Sequence, residues 1–269
     1  MTDFKTIWKN KKTSCRIGTT SYIIPDDIIP NLHFLKDCVE DVELVLFESD
    51  EFSNLPAPAD VRTMKQIADD AGLSFTVHLP LDALPGAEDE NIREKSAGKW
   101  LRVMDRMARL SPFGWIVHLN DPPDDALCWD QWLCQCAKTV DSLLTRTSPE
   151  KLCIETLSYD FSRMWPLLVE KDCSVCMDIG HLLMTGRDVT ACLDAWMGRT
   201  RVIHLHGVRE GGRDHVDISH IETGLLKKIL AALQTGEHPE EPKTRVLTME
   251  IFSQNDFERS VSVLKEMLL

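Results

Sequence analysis

The feature that most constrains the fold of this chain is a series of eight short apolar runs separated by longer segments of helical periodicity. One such segment, PADVRTMKQIADDAG, places Val61, Met64 and Ile67 on a single helix face. The predicted strands are CRIGTT (15–20), VELVLFE (42–48), SFTVHL (74–79), GWIVHL (114–119), KLCIET (151–156), CSVCMD (173–178), RVIHLH (201–206) and TRVLTMEIF (244–252). Strands that alternate with helices predict an α/β protein with a parallel sheet, and eight units predict closure into a (β/α)8 barrel with outer helices.

The length of the chain agrees with one such barrel. Its 269 residues are close to the ~250 that are typical, so we predict a single domain over residues 1–269, with residues 1–14 as a peripheral N-terminal segment. A doubly wound open sheet is the alternative. That fold carries a G-x-G-x-x-G turn after a strand, and GTTSY after the first predicted strand does not match it. The barrel is therefore favoured.

Charge and hydropathy narrow the classes of partner. The formal net charge is −13, from 30 basic and 43 acidic residues. Lys and Arg side chains drive binding to phosphate backbones, so this balance disfavours nucleic acid and favours a small-molecule or coenzyme substrate. No apolar run approaches the ~18 residues of a membrane span, and the start MTDFKTIWKNKKTSC lacks the apolar segment of a secretory signal. We expect a cytoplasmic protein with no membrane partner, in an oligomeric state that the sequence leaves open.

The cysteines do not indicate a disulfide framework or a zinc site. There are nine, an odd number that is typical of reduced thiols. Cys173 and Cys176 form a CxxC motif, but on a strand over residues 173–178 their side chains point to opposite faces. We interpret both as small buried apolar residues.

Polar side chains stand near the C-terminal ends of the predicted strands. Seven of the eight strands end in a carboxylate or an imidazole: Glu48, His78, His118, Glu155, Asp178 with His181, His204 with His206, and Glu250. In a β/α barrel these ends converge on the face that carries the active site. A structural role is the favoured explanation for any one of these residues, but seven coincident placements favour a functional site for the group.

The residue types at this face indicate a metal centre. Strand alternation turns Cys153, Cys176 and Thr248 inward below Glu155, Asp178 and Glu250, which leaves small side chains beneath polar ones. Imidazole nitrogens and carboxylate oxygens suit Zn, Mn, Fe or Co, and clustered carboxylates repel each other without cations. We predict bound divalent metal, with Zn or Mn preferred, and the number of ions is open between one and three.

Several short motifs occur in an order that resembles a known superfamily. They are HLPLD at 78, VHLND at 117, IETL at 154, MDIGHLLMTGRD at 177, VIHLHG at 202, GGRDH at 211 and MEIF at 249. Their order and strand placement resemble the xylose isomerase-like TIM barrels, which include sugar isomerases and epimerases and the endonuclease IV family. MDIGHLLMTGRD looks like the endonuclease IV stretch in which Asp and His, three residues apart, bind metal before a helix.

The resemblance implies a set of metal ligands. They are His78, His118, Glu155, Asp178, His181, His204 and Glu250. The isomerase branch usually needs only Glu155, Asp178, His204 and Glu250, so the three other histidines look like the phosphoesterase branch. His206 stands where the family often has Lys or Asn. Asp214 and His215 are adjacent where the endonuclease pattern has Asp and His two apart, so one of them is expected to reach the metals, and His215 is our choice.

A narrower resemblance points to one substrate. GTTSYIIPDD at 18, LVLFESDE at 44 and the HLHG and RDH elements look like the bacterial cobamide-remodelling phosphodiesterases, which hydrolyse the nucleotide-loop phosphodiester of vitamin B12-type coenzymes. The acidic net charge agrees better with a single-phosphate coenzyme than with DNA. This resemblance implies a metal-dependent hydrolase that acts on a cobamide.

Three functions remain open on the sequence. In a phosphodiesterase, Glu155 would bridge metals and Arg209 and Arg213 would clamp the phosphate. In an isomerase or epimerase, Glu155 and Glu250 would exchange a proton between adjacent carbons. The third possibility is a barrel that only binds a ligand. The candidate catalytic residues are Glu155, Glu250 and His206, and the candidate substrate contacts are Tyr22, Glu48, Arg209, Arg213 and Asp214.

Overall fold

The eight strands form one closed parallel barrel. The computed structural model describes residues 4–10, 15–49, 51–120, 122–123, 126–233 and 245–268. Each strand pairs in parallel with its neighbours in the sequence, and β1 pairs with β8, which closes the sheet. The predicted barrel is confirmed, and the open sheet is excluded. The strands are β1 Cys15–Thr20, β2 Asp41–Val45, β3 Ser74–His78, β4 Gly114–Val117, β5 Leu152–Glu155, β6 Ser174–Asp178, β7 Thr200–Leu205 and β8 Arg245–Met249.

Helices cover the outside of the barrel. Their apolar faces pack against the outward side chains of the strands, as for Trp100 and Phe257, neither of which is exposed. The predicted segment over PADVRTMKQIADDAG forms α3 and buries Val61, Met64 and Ile67. The helices are α1 Phe4–Asn10, α2 Ile28–Leu35, α3 Pro58–Ala71, α4 Glu90–Met107, α5 Ala126–Leu143, α6 Trp165–Lys171, α7 Ile179–Met184, α8 Val189–Trp196, α9 Thr223–Ala232 and α10 Gln254–Leu268.

The start of the chain packs more closely than a peripheral segment would. Helix α1 buries Phe4 and Trp8 in the core, and the Trp8 indole N–H donates a hydrogen bond to the Cys15 carbonyl. The Lys5 ammonium donates to the carbonyls of Lys36 and Ala71, near the ends of α2 and α3. Residues 1–3 and 11–14 of the predicted segment lie outside the described residues.

The interior of the barrel follows the predicted alternation. Ile116, Cys153, Cys176 and Val202 form a small buried cluster of their own, whereas Cys173 belongs to the core between sheet and helices. Cys173 and Cys176 therefore face opposite sides of β6, as predicted. All nine cysteines are free thiols. The polar residues at the strand ends lie above this apolar layer.

Most strands end earlier than the sequence predicted, and the difference is largest for β2 and β8. Strand β2 stops at Val45 and β8 at Met249, so the residues that follow belong to the loops of the rim. Among the described residues, no helix is both long enough and apolar enough to cross a membrane.

Candidate metal centre

Glu155, the last residue of β5, lies at the middle of the site. Its side chain is 1% exposed. The Nε2 atoms of His78 and His118 lie 3.2 and 2.8 Å from its Oε2 atom. The Nδ1 atoms of His181 and His204 lie 3.4 and 3.6 Å from its Oε1 atom, and His181 Nδ1 lies closer, at 3.1 Å, to the Thr156 carbonyl oxygen, to which it donates. The two carboxylate oxygens therefore face two different groups of imidazoles.

A second group forms on the Oε1 side of Glu155. His204 Nδ1 lies 3.1 Å from Glu250 Oε2 and 3.7 Å from Asp178 Oδ2. Glu155, Asp178, His204 and Glu250 each offer a ligand atom within 4.8 Å of the others. These four side chains come from β5, β6, β7 and the residue after β8, so neighbouring strands deliver them to one point.

Asp178 also explains why the motif MDIGH begins a helix. Its Oδ1 atom accepts a hydrogen bond of 2.7 Å from the backbone N–H of His181, which caps the N-terminus of α7. The first helical turn then brings the His181 ring back towards Asp178 Oδ2, at 3.4 Å. Gly180 between them is required sterically, because a Cβ atom there would lie 1.9 Å from Cε1 of His206.

His206 and His215 form the third part of the site. Their rings stack at 4.2 Å between centroids with an angle of 9°. His215 Nε2 lies 3.5 Å from Glu250 Oε2, and His206 Nε2 lies 3.2 Å from Asp178 Oδ1. Both histidines belong to groups that could hold a metal ion. Asp214 accepts from His215 Nδ1 at 3.1 Å on the outer side, so His215 rather than Asp214 is the residue of this pair that reaches the cluster.

Hydrogen bonds around the rings assign which nitrogen faces the centre. His204 Nε2 contacts Glu43 Oε2 at 2.9 Å, and His78 Nδ1 contacts the Leu79 carbonyl at 3.0 Å, so both outer nitrogens donate. In the deprotonated form of these rings, which is the form that binds a metal, the inner nitrogen carries a lone pair that faces the carboxylates. His206 is different, because the shorter contact of its Nδ1 atom, at 3.0 Å, is with the His215 backbone N–H, and the Gly207 carbonyl oxygen lies farther away at 3.3 Å. We therefore assign Nδ1 as the acceptor and the proton to Nε2, towards Asp178.

Glu43 is a residue of the site that the sequence analysis missed. It lies on β2, is fully buried and reaches across the barrel to His204. The predicted residue of this strand was Glu48, which lies in the following loop and contacts Ser53 and Arg102. The available signal was the alternation along β2, since Asp41 and Glu43 share the inward face.

The site fits a bound cation. Lone pairs that face each other at 3.1 to 3.7 Å need a proton or a metal between them, and ligands about 2.0–2.1 Å from one zinc at tetrahedral angles lie about 3.3 Å apart. Several buried atoms here have no hydrogen-bond partner among the described residues: Glu43 Oε1, Glu155 Oε1, Asp178 Oδ2, His204 Nδ1 and Glu250 Oε2. Buried polar atoms rarely stay unpaired, so these atoms indicate a ligand.

Without metal, the cluster holds protons. Burial lowers the pKa of His78, but the hydrogen bond and charge of Glu155 outweigh burial and raise it to about 9. Burial likewise opposes the raised pKa of His215, which the Glu250 carboxylate brings to about 9. Burial raises the pKa of Glu155, yet the charges of His118 and His204 hold it well below its usual value. The metal-free site is thus a network of imidazolium and carboxylate groups.

The remaining predicted residues lie outside this cluster. Arg209 Nε lies 3.1 Å from His220 Nε2, and the Arg209 backbone N–H bonds to the Arg213 carbonyl within the loop after β7. Arg213 is exposed. The Tyr22 hydroxyl accepts a hydrogen bond of 2.6 Å from Asn54 and faces a cavity of about 540 Å³ between the loops after β1 and β2. The structure does not bring these side chains to the metal-binding groups.

The comparisons with known proteins agree with this architecture. A family model described as xylose isomerase-like TIM barrel matches residues 36–266. A search of curated proteins by sequence finds no match. Among solved structures, endonuclease IV from Thermus thermophilus is similar with a TM-score of 0.71 and 18% identity over 93% of this chain and 99% of that one. A D-tagatose 3-epimerase-like protein has the same TM-score, with 16% identity over 94% and 97%.

A third similar structure is 3-keto-D-glucoside 4-epimerase, YcjR, from E. coli, with a TM-score of 0.68 and 14% identity over 94% of this chain and 98% of that one. At these identities the solved structures establish the fold. They do not distinguish between the activities that their names describe.

Proposed function

The chain belongs to the xylose isomerase-like TIM-barrel family, and on that premise we propose that it is a divalent-metal-dependent phosphodiesterase. One observation carries the proposal. The carboxylate of Glu155 lies between two ligand groups, with His78 and His118 at one oxygen and His181 and His204 near the other. This arrangement is built to hold more than one cation.

Divalent cations would supply Lewis-acid polarisation of a phosphoryl oxygen and a lowered pKa for attacking water. Glu155, which contacts His78 and His118 through Oε2 and lies near His204 through Oε1, would be one of the residues that hold the ions. Glu250 and Asp178 belong to the second group of ligands, and their negative charges would offset the charge of a bound cation. His206 carries its proton on Nε2 and would orient Asp178 or donate that proton to a departing oxygen.

We further propose that the substrate is a cobamide. The motifs GTTSYIIPDD and LVLFESDE support this substrate through their resemblance to the cobamide-remodelling enzymes. The net charge of −13 supports a substrate with a single phosphodiester over a nucleic-acid duplex. Arg209 and Arg213, on the loop after β7, are the guanidinium groups that we propose to contact that phosphate, although their side chains lie outside the cluster.

A sugar epimerase is the second candidate, and specific observations favour it. Several of the similar solved structures carry epimerase names, including that of D-psicose 3-epimerase. Glu155 and Glu250 lie 3.6 and 3.1 Å from the same nitrogen of His204, Nδ1, and could exchange a proton between two carbons of a ketose. That reaction does not explain the presence of His78 and His118.

A barrel that only binds a ligand is the third candidate, and it does not explain any part of the cluster.

A parallel assay tests the proposal. The protein is stripped with a chelator, reloaded with Zn or Mn, and offered a cobamide, an abasic-site duplex and a panel of ketoses. We expect hydrolysis of the cobamide phosphodiester. Turnover of a ketose alone would replace the proposal with the epimerase, and the absence of any metal uptake would favour the binding barrel.

Substitution of His118 separates the two enzymes further. His118→Asn removes a ligand of the group that only the phosphodiesterase needs, so we expect hydrolysis to fall by at least about 100-fold. His33→Asn, on the exposed side of α2, is the matched control and should leave activity unchanged. An epimerase would keep its activity in both variants.

A further inference from the structure

Large exposed apolar side chains concentrate on one side of the barrel mouth. Among the described residues, five of the eight lie on the loops that follow β2, β3 and β8: Phe47, Phe52, Leu81, Leu84 and Phe252. The other three are Met184 at the end of α7, Ile92 in α4 and Val169 in α6. Single exposed apolar residues are normal on any protein surface, but a concentrated group beside a polar site indicates binding.

We call these five residues the apolar arc. Strands β8, β1, β2 and β3 are consecutive in the closed barrel, so the loops that carry the arc lie on one side of the mouth, with the loop after β1 between those after β8 and β2. The opposite half of the mouth, after β5, β6 and β7, carries polar side chains such as His181, Arg209 and Asp214. The exposed large apolar side chains are therefore unevenly distributed around the mouth.

The arc is continuous with the metal-binding groups. The ring of Phe252, which is 44% exposed, lies 5.5 Å from the ring of His215. At the other end, the rings of Phe47 and Phe52 lie 6.2 Å apart, and Phe52 is 60% exposed. Phe52 also lines the cavity of about 540 Å³, a size that suits a small-molecule pocket.

We propose that the apolar arc binds a bulky, ring-containing apolar body of the substrate while the reacting group lies at the metal centre. The position of the reacting group rests on the proposed function. Four adjacent strands at about 4.8 Å each span about 14 Å, which is wider than one sugar ring. The substrate class is thus an amphiphile, a large apolar ring system linked to an anionic group, and a free monosaccharide would leave the arc uncovered.

A binding measurement tests this inference without any need for turnover. The probe is 1-anilinonaphthalene-8-sulfonate, an aromatic anion whose fluorescence rises in apolar surroundings. We expect the double substitution Phe47→Ser with Phe52→Ser to raise the Kd of the dye by about tenfold, since each aromatic contact contributes to the binding free energy. Val169→Ser, a 52% exposed residue on α6, is the matched control and should leave the Kd unchanged. Equal Kd values in all three proteins would overturn the inference.

A second pair of probes connects the arc to the reaction. Bis(p-nitrophenyl) phosphate and methyl p-nitrophenyl phosphate share a leaving group and differ in the size of the remaining group. We expect the wild-type protein to prefer the aryl diester and the double variant to lose about tenfold of that preference in kcat/KM. An unchanged preference would contradict the inference. Failure of both diesters to react, with the dye result as expected, would remove the proposed function and leave the arc as a binding surface.

Two controls keep the test interpretable. The single substitution Phe52→Ser, at the most exposed of the five residues, should give part of the effect if the double variant does not fold. Size-exclusion chromatography identifies a different occupant. A wild-type dimer that becomes monomeric in the double variant would show that the arc is a subunit interface, which would overturn the proposal.

Discussion

The two ends of the barrel differ in how completely their buried carboxylates are hydrogen-bonded, and β2 shows the difference within three residues. Asp41, near the N-terminal end, accepts hydrogen bonds from the hydroxyls of Ser74 and Thr76. Glu43, two residues later, accepts one from His204, and its Oε1 atom has no partner among the described residues. Both side chains are fully buried.

Other residues at the N-terminal end are also paired internally. The Arg201 guanidinium lies 4.0 Å from the centroid of the Phe113 ring and donates through Nε to the Phe113 carbonyl. Arg245 donates to the carbonyl of Thr200. Hydrogen-bonded polar groups at the N-terminal end stabilise the fold. The unpaired polar atoms at the C-terminal end instead indicate a bound ligand, such as a metal ion. The difference separates the part of the barrel that provides stability from the part that provides function.

Removal of the Glu155 charge should have the largest effect, because two ligand groups share this carboxylate. We expect Glu155→Gln to lose bound metal and to lower kcat/KM for a phosphodiester by at least about 1,000-fold, or about 4 kcal/mol. Glu150→Gln, just before the other end of the same strand, is the matched control and should change neither. Full metal content in Glu155→Gln would show that the Glu155 carboxylate is not needed to bind metal, and would contradict the functional role given to the C-terminal end.

The pH dependence of stability should reveal the protons held at the C-terminal end. The folded-state pKa values of His78 and His215 are about 9, above the usual 6.5, so their stabilisation is complete below pH 6.5 and is lost as the pH rises through 9. For His78 alone this is of the order of 3 kcal/mol. Denaturant unfolding of the metal-free protein between pH 6 and 9 measures it.

Metal should reverse that trend, because the ligands bind in their deprotonated forms. The stabilisation by added Zn is therefore expected to increase over the same pH range. Metal-free stability that stays flat or rises with pH would show that the imidazoles are not held as cations by the carboxylates.

Substitution of Glu43 tests whether metal binding at the C-terminal end of the barrel depends on the residues that hydrogen-bond to the metal ligands. Glu43→Gln weakens the hydrogen bond that turns His204 Nδ1 inward, so we expect metal affinity to fall by about 10- to 100-fold, measured by competition with a chelator. Asp41→Asn should lower the free energy of unfolding by about 1–3 kcal/mol and leave metal affinity unchanged. The same response in both variants would remove the distinction between the two ends.

The smallest effect is expected at the N-terminal end itself. Arg201→Met keeps the apolar contact with Phe113 but loses the hydrogen bond and the cation–π interaction. We expect a loss of about 1–2 kcal/mol in the free energy of unfolding. Metal content and activity should stay at the wild-type level, and a loss of bound metal would show that the two ends are coupled.

The sequence was sufficient for the barrel and for most of the cluster. Alternation of strands and helices is a local signal, and a polar residue at a strand end, such as Glu155 or Asp178, can be placed without knowledge of its partners. The loop after β2 could not be placed this way. Residues 42–48 are apolar on both faces because a barrel strand is buried on both faces, so the pattern does not mark the strand end or distinguish Glu43 from Glu48.

For the third part of the site, the sequence analysis could name His206 and His215 but could not justify His215 over Asp214, and the reason is different. His215 reaches the cluster because its backbone adopts a left-handed conformation, with φ 52°, just after Gly211 and Gly212. Its ring is then fixed by stacking on His206, which lies on a different segment. A choice between Asp214 and His215 depends on that tertiary contact, and the spacing of the two residues carries no information about it.

Anomalous X-ray scattering at the zinc edge, from crystals of the zinc-loaded protein, tests the central claim most directly. We expect one peak between Glu155 and the pair His78 and His118, and a second among Glu155, Asp178, His204 and Glu250. Peaks only elsewhere on the protein, or none at either position, would contradict the account.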